Sequence, residues 1–242
     1  EALDANDPEI NITEISEEPH EHIAKRIEGI LTVPSFLESA EATGALLRDA
    51  DGKPRIEGTI EVPFILIIPH SALESDSPVR LMQFGHGFFA NRSEVNGGFV
   101  TSFAQETGMV VIAIDWLGMA TADINLLLER LNSEPERALD FAGRTLQGVL
   151  NNIALTRAVQ TTLLEKTELQ KNGTPLYDPE QIYFYGLSQG HILGGVFAAL
   201  TPDINKVILS SGGASFSLIM SRAMPFAAFR IILDLSIDDP MS

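Results

Sequence analysis

The stretch YFYGLSQGHILGG, Tyr183–Gly195, carries a run of strand-forming residues into Gly-Leu-Ser-Gln-Gly and then into a helix of small residues. The Gly-x-Ser-x-Gly pattern alone says little, because roughly one chain in ten of this length holds one at ordinary glycine frequencies. Its setting says more. Ile182, Tyr183, Phe184 and Tyr185 make a β-aromatic run on one side, and a Gly- and Ala-rich helical stretch follows to Leu200. A serine on such a strand–turn–helix corner is forced into a strained conformation that lifts its hydroxyl above the sheet. Ser188 is therefore a candidate nucleophile. Gly186 and Gly190 fit positions where a side chain would strike the neighbouring strand or helix. The backbone N–H of Gln189, at the helix start, would face a developing oxyanion. The plain alternative is a tight turn with an inert serine.

Upstream, the same alternation recurs. VRLMQF (79–84) and MVVIAI (109–114) are short, almost continuous apolar runs, the kind buried on both faces of a parallel sheet. Between them, residues 93–107 read as a helix with Ser93 as N-cap and Gly108 as its stop. A long helical stretch follows, broken near Asn132–Pro135 and running to about Lys171, with Leu146, Val149, Leu150 and Ile153 as its buried stripe and Asn172-Gly173 as its end. KVILSS (206–211) is a further strand, and the remainder to Ser242 is apolar and mostly helical in character. Strands alternating with helices predict an α/β class with a mostly parallel sheet flanked by helices.

The first 70 residues differ. Eight acids in the first 21 residues mark a polar, peripheral N-terminal segment. HIAKRIEGILTVPSF then reads as a strand ended by Pro34, and ALLRDADGKPRIEGTIEVPFILIIP as a hairpin turning at Asp51-Gly52, its second arm running from about Ile56 to Ile68. The division is thus a β-rich region over 1–70 and the α/β core over 71–242, with segments 119–148 and 214–242 as candidate lid or cap. Leu126, Leu127, Leu128 and Leu131 in the first of these would cover an acyl pocket or simply pack on the sheet.

Composition narrows the function. The net charge is −17, from 33 acidic and 16 basic residues. That argues against nucleic acid and against an anionic membrane surface, both of which reward Lys/Arg clusters. There is no cysteine, which excludes disulfides, thiolate chemistry and Cys-based zinc sites. The longest apolar runs are too short to span a bilayer. The sequence contains no metal cluster, phosphate loop or dinucleotide fingerprint, so neither metal nor cofactor is expected. The chain begins with Glu1 rather than Met, which suggests a trimmed or processed chain.

A second motif, QFGHGFF (83–89), directly follows the first buried strand and so emerges at the same C-terminal sheet edge as Ser188. Gly87 permits a sharp turn, and the N–H of Phe88 can supply a second oxyanion donor. His86 reads as a loop brace. Phe88 and Phe89 would wall a pocket for an acyl or alcohol group. Together, His86-Gly87, Asp115-Trp116-x-Gly118 and Gly186-x-Ser188-x-Gly190, each after a strand, resemble the α/β-hydrolase superfamily over roughly residues 56–215. DGKPRIEGTIEVPFILIIPHSA ahead of MQFGHGFF resembles large bacterial, exported esterase- or lipase-like members with a β-rich N-terminal region. The resemblance implies an acyl-enzyme mechanism on Ser188 acting on a small-molecule or lipid-like ester, with the Phe88 and Gln189 amides as oxyanion hole, and an exported location.

The resemblance also implies a chain order of nucleophile, acid, histidine. The histidines are His20, His22, His70, His86 and His191, and none lies on a later strand. His191 rides on the elbow helix only three residues past Ser188, on the wrong side for a base. Asp115, Asp203, Asp234, Asp238 and Asp239 are the acids to weigh, and FRIILDLS (229–236) is the best candidate for a further strand although it reads equally well as an amphipathic helix. The expectation is a fold that lacks its last strands, with an exposed edge and apolar face completed by a second polypeptide or oligomer partner, or by a C-terminal segment from which this chain has been cut, so that this chain alone is inactive. Two other readings stay open: a catalytically incomplete hydrolase-fold domain used for binding or structure, and an amidase, peptidase or acyltransferase on the same elbow.

Overall fold

The computed structural model describes residues 7–39, 44–134, 137 and 140–236. Along the chain run β1 (Glu9–His20), β2 (Ile23–Pro34), β3 (Thr59–Pro69), α1 (His70–Glu74), β4 (Val79–Gly85), α2 (Gly98–Thr107), β5 (Val110–Ile114), α3 (Asp123–Ser133), α4 (Phe141–Gln160), the two-residue strands β6 (Gln170–Lys171) and β7 (Thr174–Pro175), β8 (Tyr177–Leu187), α5 (Gln189–Leu200), β9 (Lys206–Ser210), α6 (Phe216–Met220) and α7 (Ala227–Ser236). Seven strands form one sheet in the order β1-β2-β3-β5-β4-β8-β9. β1, β2, β3 and β5 are joined antiparallel, whereas β5, β4, β8 and β9 are parallel. The β-rich N-terminal region is thus continuous with the α/β part through the β3–β5 ladder, Phe64 opposite Ile114 and Ile67 opposite Val111.

Apolar residues fill both sheet faces, as a parallel centre requires. One face buries Leu66, Leu81, Val110 and Ile112 beneath Ala154, Leu155, Ala158 and Val159 of α4. The other buries Ile65, Ile67, Met82, Phe84 and Val111 beneath Val100 and Ala104 of α2. Strands β4, β5 and β9 and helix α5 lie within a residue or two of their expected bounds, because continuous apolar runs and the Gly-rich corner leave few alternatives, whereas β8 begins four residues earlier than the expected 181–186.

Several expectations are corrected. The N-terminal segment is a twelve-residue strand rather than a peripheral tail. Ile10 and Ile12 alternate with polar residues and pack against the main core, while the acids line the solvent side of an edge strand. The Asp51-Gly52 turn forms, with Asp49 Oδ1 accepting the amides of Asp51 and Lys53 at 2.9 Å each. Its first arm is no strand, however. It makes only the isolated bridges Leu37–Leu46 and Arg48–Pro54, and the ladder partner of β3 is β2. Ser93 is not a helix N-cap: it sits in a 3-10 turn, Arg92–Asn96, capped by the Asn91 side chain, and α2 starts at Gly98. The long helix ends at Gln160, not Lys171, and Asn172 (φ 55) and Gly173 (φ 78) instead turn the β6–β7 hairpin, a position that demands positive φ. FRIILDLS is helical, as part of α7.

The expected stripe on α4 holds only in part: Val149 is buried and Leu150 and Ile153 are half-buried. Leu146 is 55% exposed, and the buried face carries Gln147, Asn151, Asn152 and Thr156. These amides find partners. Gln83 of the central strand donates to Asn152 Oδ1 at 2.9 Å and accepts from Thr156 Oγ1 at 2.9 Å, while Gln147 donates to Pro34 O at 3.0 Å and to Asn151 Oδ1 at 2.9 Å. Burying an amide is tolerable only when it is paired in this way.

Candidate active site

Ser188 joins β8 to α5 with φ 54 and ψ −111, a left-handed conformation that costs a non-glycine residue on the order of 1–3 kcal/mol. Close packing holds it there. An ideal Cβ on Gly186 would lie 2.3 Å from Gly190 O, and one on Gly190 would lie 2.2 Å from Gly85 O. The end of β4, the end of β8 and the start of α5 thus meet backbone to backbone, and only glycine fits. The Ser188 amide donates to Ser210 O of β9 at 2.8 Å, so the corner is tied to its neighbouring strand. Gln189 opens the helix with its side chain buried. Its side-chain amide finds no partner among the described residues.

The loop after β4 lies beside this corner, an ideal Cβ on Gly87 being 3.9 Å from Ser188 Cβ. His86 is buried and its two ring nitrogens have fixed tasks. Nε2 accepts the Trp116 amide at 2.7 Å, which leaves Nδ1 protonated to donate to Gly87 O at 2.8 Å. Burial lowers its pKa from the ordinary value, outweighing the Gly87 carbonyl and the charges of Asp115, Glu94 and Asp123, which raise it. A neutral, doubly engaged imidazole is a brace, not a base. Asp115, at the end of β5, accepts the Arg92 amide at 2.6 Å and pairs with its guanidinium at 2.9 Å, so it too braces the loop. The amides of Phe88 and Gln189 have no acceptor among the described residues.

Phe88 and Phe89 stand edge to face with ring centroids 4.4 Å apart. Phe229 of α7 stacks on Phe89 at 5.0 Å, and Phe226 lies 6.3 Å from Phe88. Leu127 and Leu131 of α3 close the same cluster. Segments 119–148 and 214–236 therefore meet each other over the Phe88–Phe89 pair. The base of α3 is anchored by Asp123, which is fully buried: its Oδ2 accepts the Gly118 and Ala120 amides at 2.7 and 3.0 Å, and its Oδ1 pairs with Arg144 of α4 at 2.8 Å.

No protein-family model and no curated protein matches this sequence. Solved structures do match its fold. Acetyl xylan esterase 1 from Thermoanaerobacterium sp. JW/SL YS485 superposes with a TM-score of 0.54 at 17% identity, covering 100% of this chain and 66% of that one. An acetyl xylan esterase from Paenibacillus sp. R4 gives 0.53 at 14% identity, with 97% and 64% covered. The chain has the α/β-hydrolase fold. It spans just under two thirds of the length of both proteins.

Within this α/β-hydrolase fold most of the other ionisable candidates among the described residues lie away from Ser188. His20 and His22 sit at the β1–β2 turn and His70 follows β3, whose antiparallel run against β5 carries them to the sheet end opposite the serine. Asp203, between α5 and β9, is at that far end too. His191 Nδ1 accepts the Gly212 amide at 3.0 Å, which turns the ring towards the loop after β9. Asp234 is on the exposed side of α7, and Asp238 and Asp239 lie outside the described residues. Among the described residues no histidine ring is hydrogen-bonded to the Ser188 hydroxyl, the one His–Ser188 bond being the His191 amide to Ser188 O at 3.0 Å, and no group of three His, Asp or Glu side chains could hold a metal ion. Sequence reasoning did not single out Glu94, whose Oε2 accepts the Gly87 amide at 3.0 Å. Its only sequence signal is its place one turn after QFGHGFF.

Proposed function

We propose that this chain carries the nucleophile and oxyanion hole of a serine carboxylic-ester hydrolase. Ser188 Oγ attacks the ester carbonyl, the Phe88 and Gln189 amides hold the oxyanion, and collapse expels the alcohol to leave an acyl-serine that water hydrolyses. The observation that carries this reading is Ser188 itself, held at φ 54 above the sheet beside two amides that have no acceptor among the described residues. The aromatic cluster of Phe88, Phe89 and Phe229 favours an apolar acyl or alcohol group, and α3 with α7 acts as its cap. An exported setting accords with the reading; among the described residues no helix is long and apolar enough to cross a membrane.

The base and acid come, in this proposal, from a further polypeptide segment or partner that adds to β9. That strand ends the sheet, and Val207, Ile208 and Leu209 are 37–51% exposed. The absence of a histidine on Ser188 among the described residues equally favours a second reading, a binding or structural domain on the same fold. Intact mass under denaturing conditions and hydrolysis of short p-nitrophenyl esters separate the two. An esterase shows turnover that Ser188→Ala abolishes, together with a second polypeptide carrying a histidine. A lone 26.3 kDa species with no turnover and no fluorophosphonate adduct at Ser188 leaves only the binding reading.

A further inference from the structure

The loop that presents Phe88 is held at three points. The Gly87 carbonyl accepts both His86 Nδ1–H at 2.8 Å and the Ala90 amide at 3.2 Å. In a trans peptide the N–H points opposite to the C=O. Pinning the Gly87 carbonyl therefore aims the Phe88 N–H, which belongs to the same peptide unit, the other way, where it meets no acceptor among the described residues. The preceding peptide is gripped separately, through the Gly87 N–H and Glu94 Oε2 at 3.0 Å. Glu94 itself cannot drift. It sits in the Arg92–Asn96 turn, which the Asn91 side chain caps on the Ser93 amide at 2.9 Å, which Arg92 fastens to Asp115, and which the fully buried Val95 plugs into the core. The second carboxylate oxygen, Oε1, lies 3.6 Å from where a Gly87 Cβ would be, and Ser188 Cβ lies 3.9 Å from that same point.

We propose that Glu94 is a positioning residue for the oxyanion hole: by taking the Gly87 amide out of the cleft and fixing its peptide plane, it leaves Phe88 as the loop's sole donor to the oxyanion. Glycine has the widest backbone freedom of any residue, so without Glu94 the His86–Gly87 peptide can rotate. The Gly87 N–H can then turn into the cleft, and the Gly87 Cα from which the Phe88 peptide departs is no longer held from both sides. The proposal rests on the serine-hydrolase reading only for its kinetic consequence.

The test compares Glu94→Ala, which removes the acceptor, with Glu94→Gln, which keeps one. Loss of one oxyanion donor costs about 10²–10³-fold in kcat in a well-studied protease, and misdirection of one costs less. The expected result is a fluorophosphonate labelling rate at Ser188, and kcat on p-nitrophenyl butyrate, about 10- to 100-fold lower in Glu94→Ala with KM little changed. Glu94→Gln stays within about threefold of the parent, since its amide oxygen still accepts the Gly87 N–H. In parallel, the Gly87 amide proton shifts upfield in Glu94→Ala and stays near its parental position in Glu94→Gln. Parental labelling by Glu94→Ala, or equal loss in both variants, overturns the proposal. If the parent protein, together with whatever segment or partner supplies its base, does not label, the serine-hydrolase reading fails and the Gly87 resonance decides: an unmoved proton in Glu94→Ala overturns the positioning bond, and an upfield shift sustains it.

Discussion

Gly190→Ala puts one methyl group where the fold has no room for it. The new Cβ would lie 2.2 Å from Gly85 O, 2.6 Å from Gly85 C and 2.8 Å from His86 O. All three are backbone atoms, so no side chain can swing aside. Reaching an ordinary contact of about 3.4 Å requires the start of α5 and the end of β4 to part by roughly 1 Å. Gly85 and Gly186 are paired in the β4–β8 ladder, so this movement breaks the last hydrogen bonds of that ladder. At about 1 kcal/mol per bond plus backbone strain, the cost comes to roughly 2–4 kcal/mol. The same movement separates the Gln189 amide from the Phe88 amide by a similar distance, and a displacement of about 1 Å is enough for some 10²-fold in rate. Gly195→Ala, one turn along the same helix, is the control. Its Cβ would meet nothing closer than Leu209 Cδ1 at 3.9 Å, and alanine should stabilise the helix by about 0.5–1 kcal/mol. Urea unfolding gives the first quantity and fluorophosphonate labelling of Ser188 the second. Equal midpoints and equal labelling for the two variants would refute the claim that backbone crowding holds the elbow.

Asp123→Ala leaves the buried Arg144 guanidinium without its carboxylate and should cost about 3–5 kcal/mol in urea unfolding. His86 is neutral in the fold and its pKa is lowered by burial, so the unfolded chain binds the proton first. The stability it protects is complete above about pH 6.5 and declines as pH falls below that value; unfolding midpoints between pH 8 and 5 should show a slope that His86→Asn reduces. Phe229→Ala removes the ring that stacks on Phe89 and should release α7 locally at a cost of about 3–4 kcal/mol, seen as faster amide exchange in Ala227–Ser236 with little change in β4 or β5.

The elbow and the parallel strands were legible because each rests on a local rule. A continuous apolar run, a glycine at a crowded corner and an N–H at a helix start can be recognised from a dozen neighbouring residues. What escaped depends on distance along the chain. β1 is an edge strand whose acids outnumber its isoleucines, so its period-two pattern is faint. The buried side of α4 is polar because Gln83, 69 residues upstream, awaits Asn152. Nothing within α4 announces that. Asp123 and Arg144 are 21 residues apart and read as solvated charges until the fold encloses both. Glu94 looks like an ordinary surface acid, and its bond to Gly87 exists only once the 3-10 turn has folded back over the loop. The aromatic contact between α7 and Phe88–Phe89 spans the longest separation of these, and no periodicity encodes it.

The hydrogen bond from the Ser188 amide to Ser210 has a dynamic corollary. Besides its packing against β4 and β8, the proposed nucleophile is fastened to the rim of the sheet, β9, whose outer row of amides and carbonyls faces no further strand among the described residues. Rim strands fray first, trading their bonds with water on a faster clock than central ones. Every excursion of β9 therefore tugs at Ser188 and slackens its left-handed kink. Ser188 shares in the motion of the margin beside it, and whatever damps that margin tunes the serine as an instrument string is tuned at its peg.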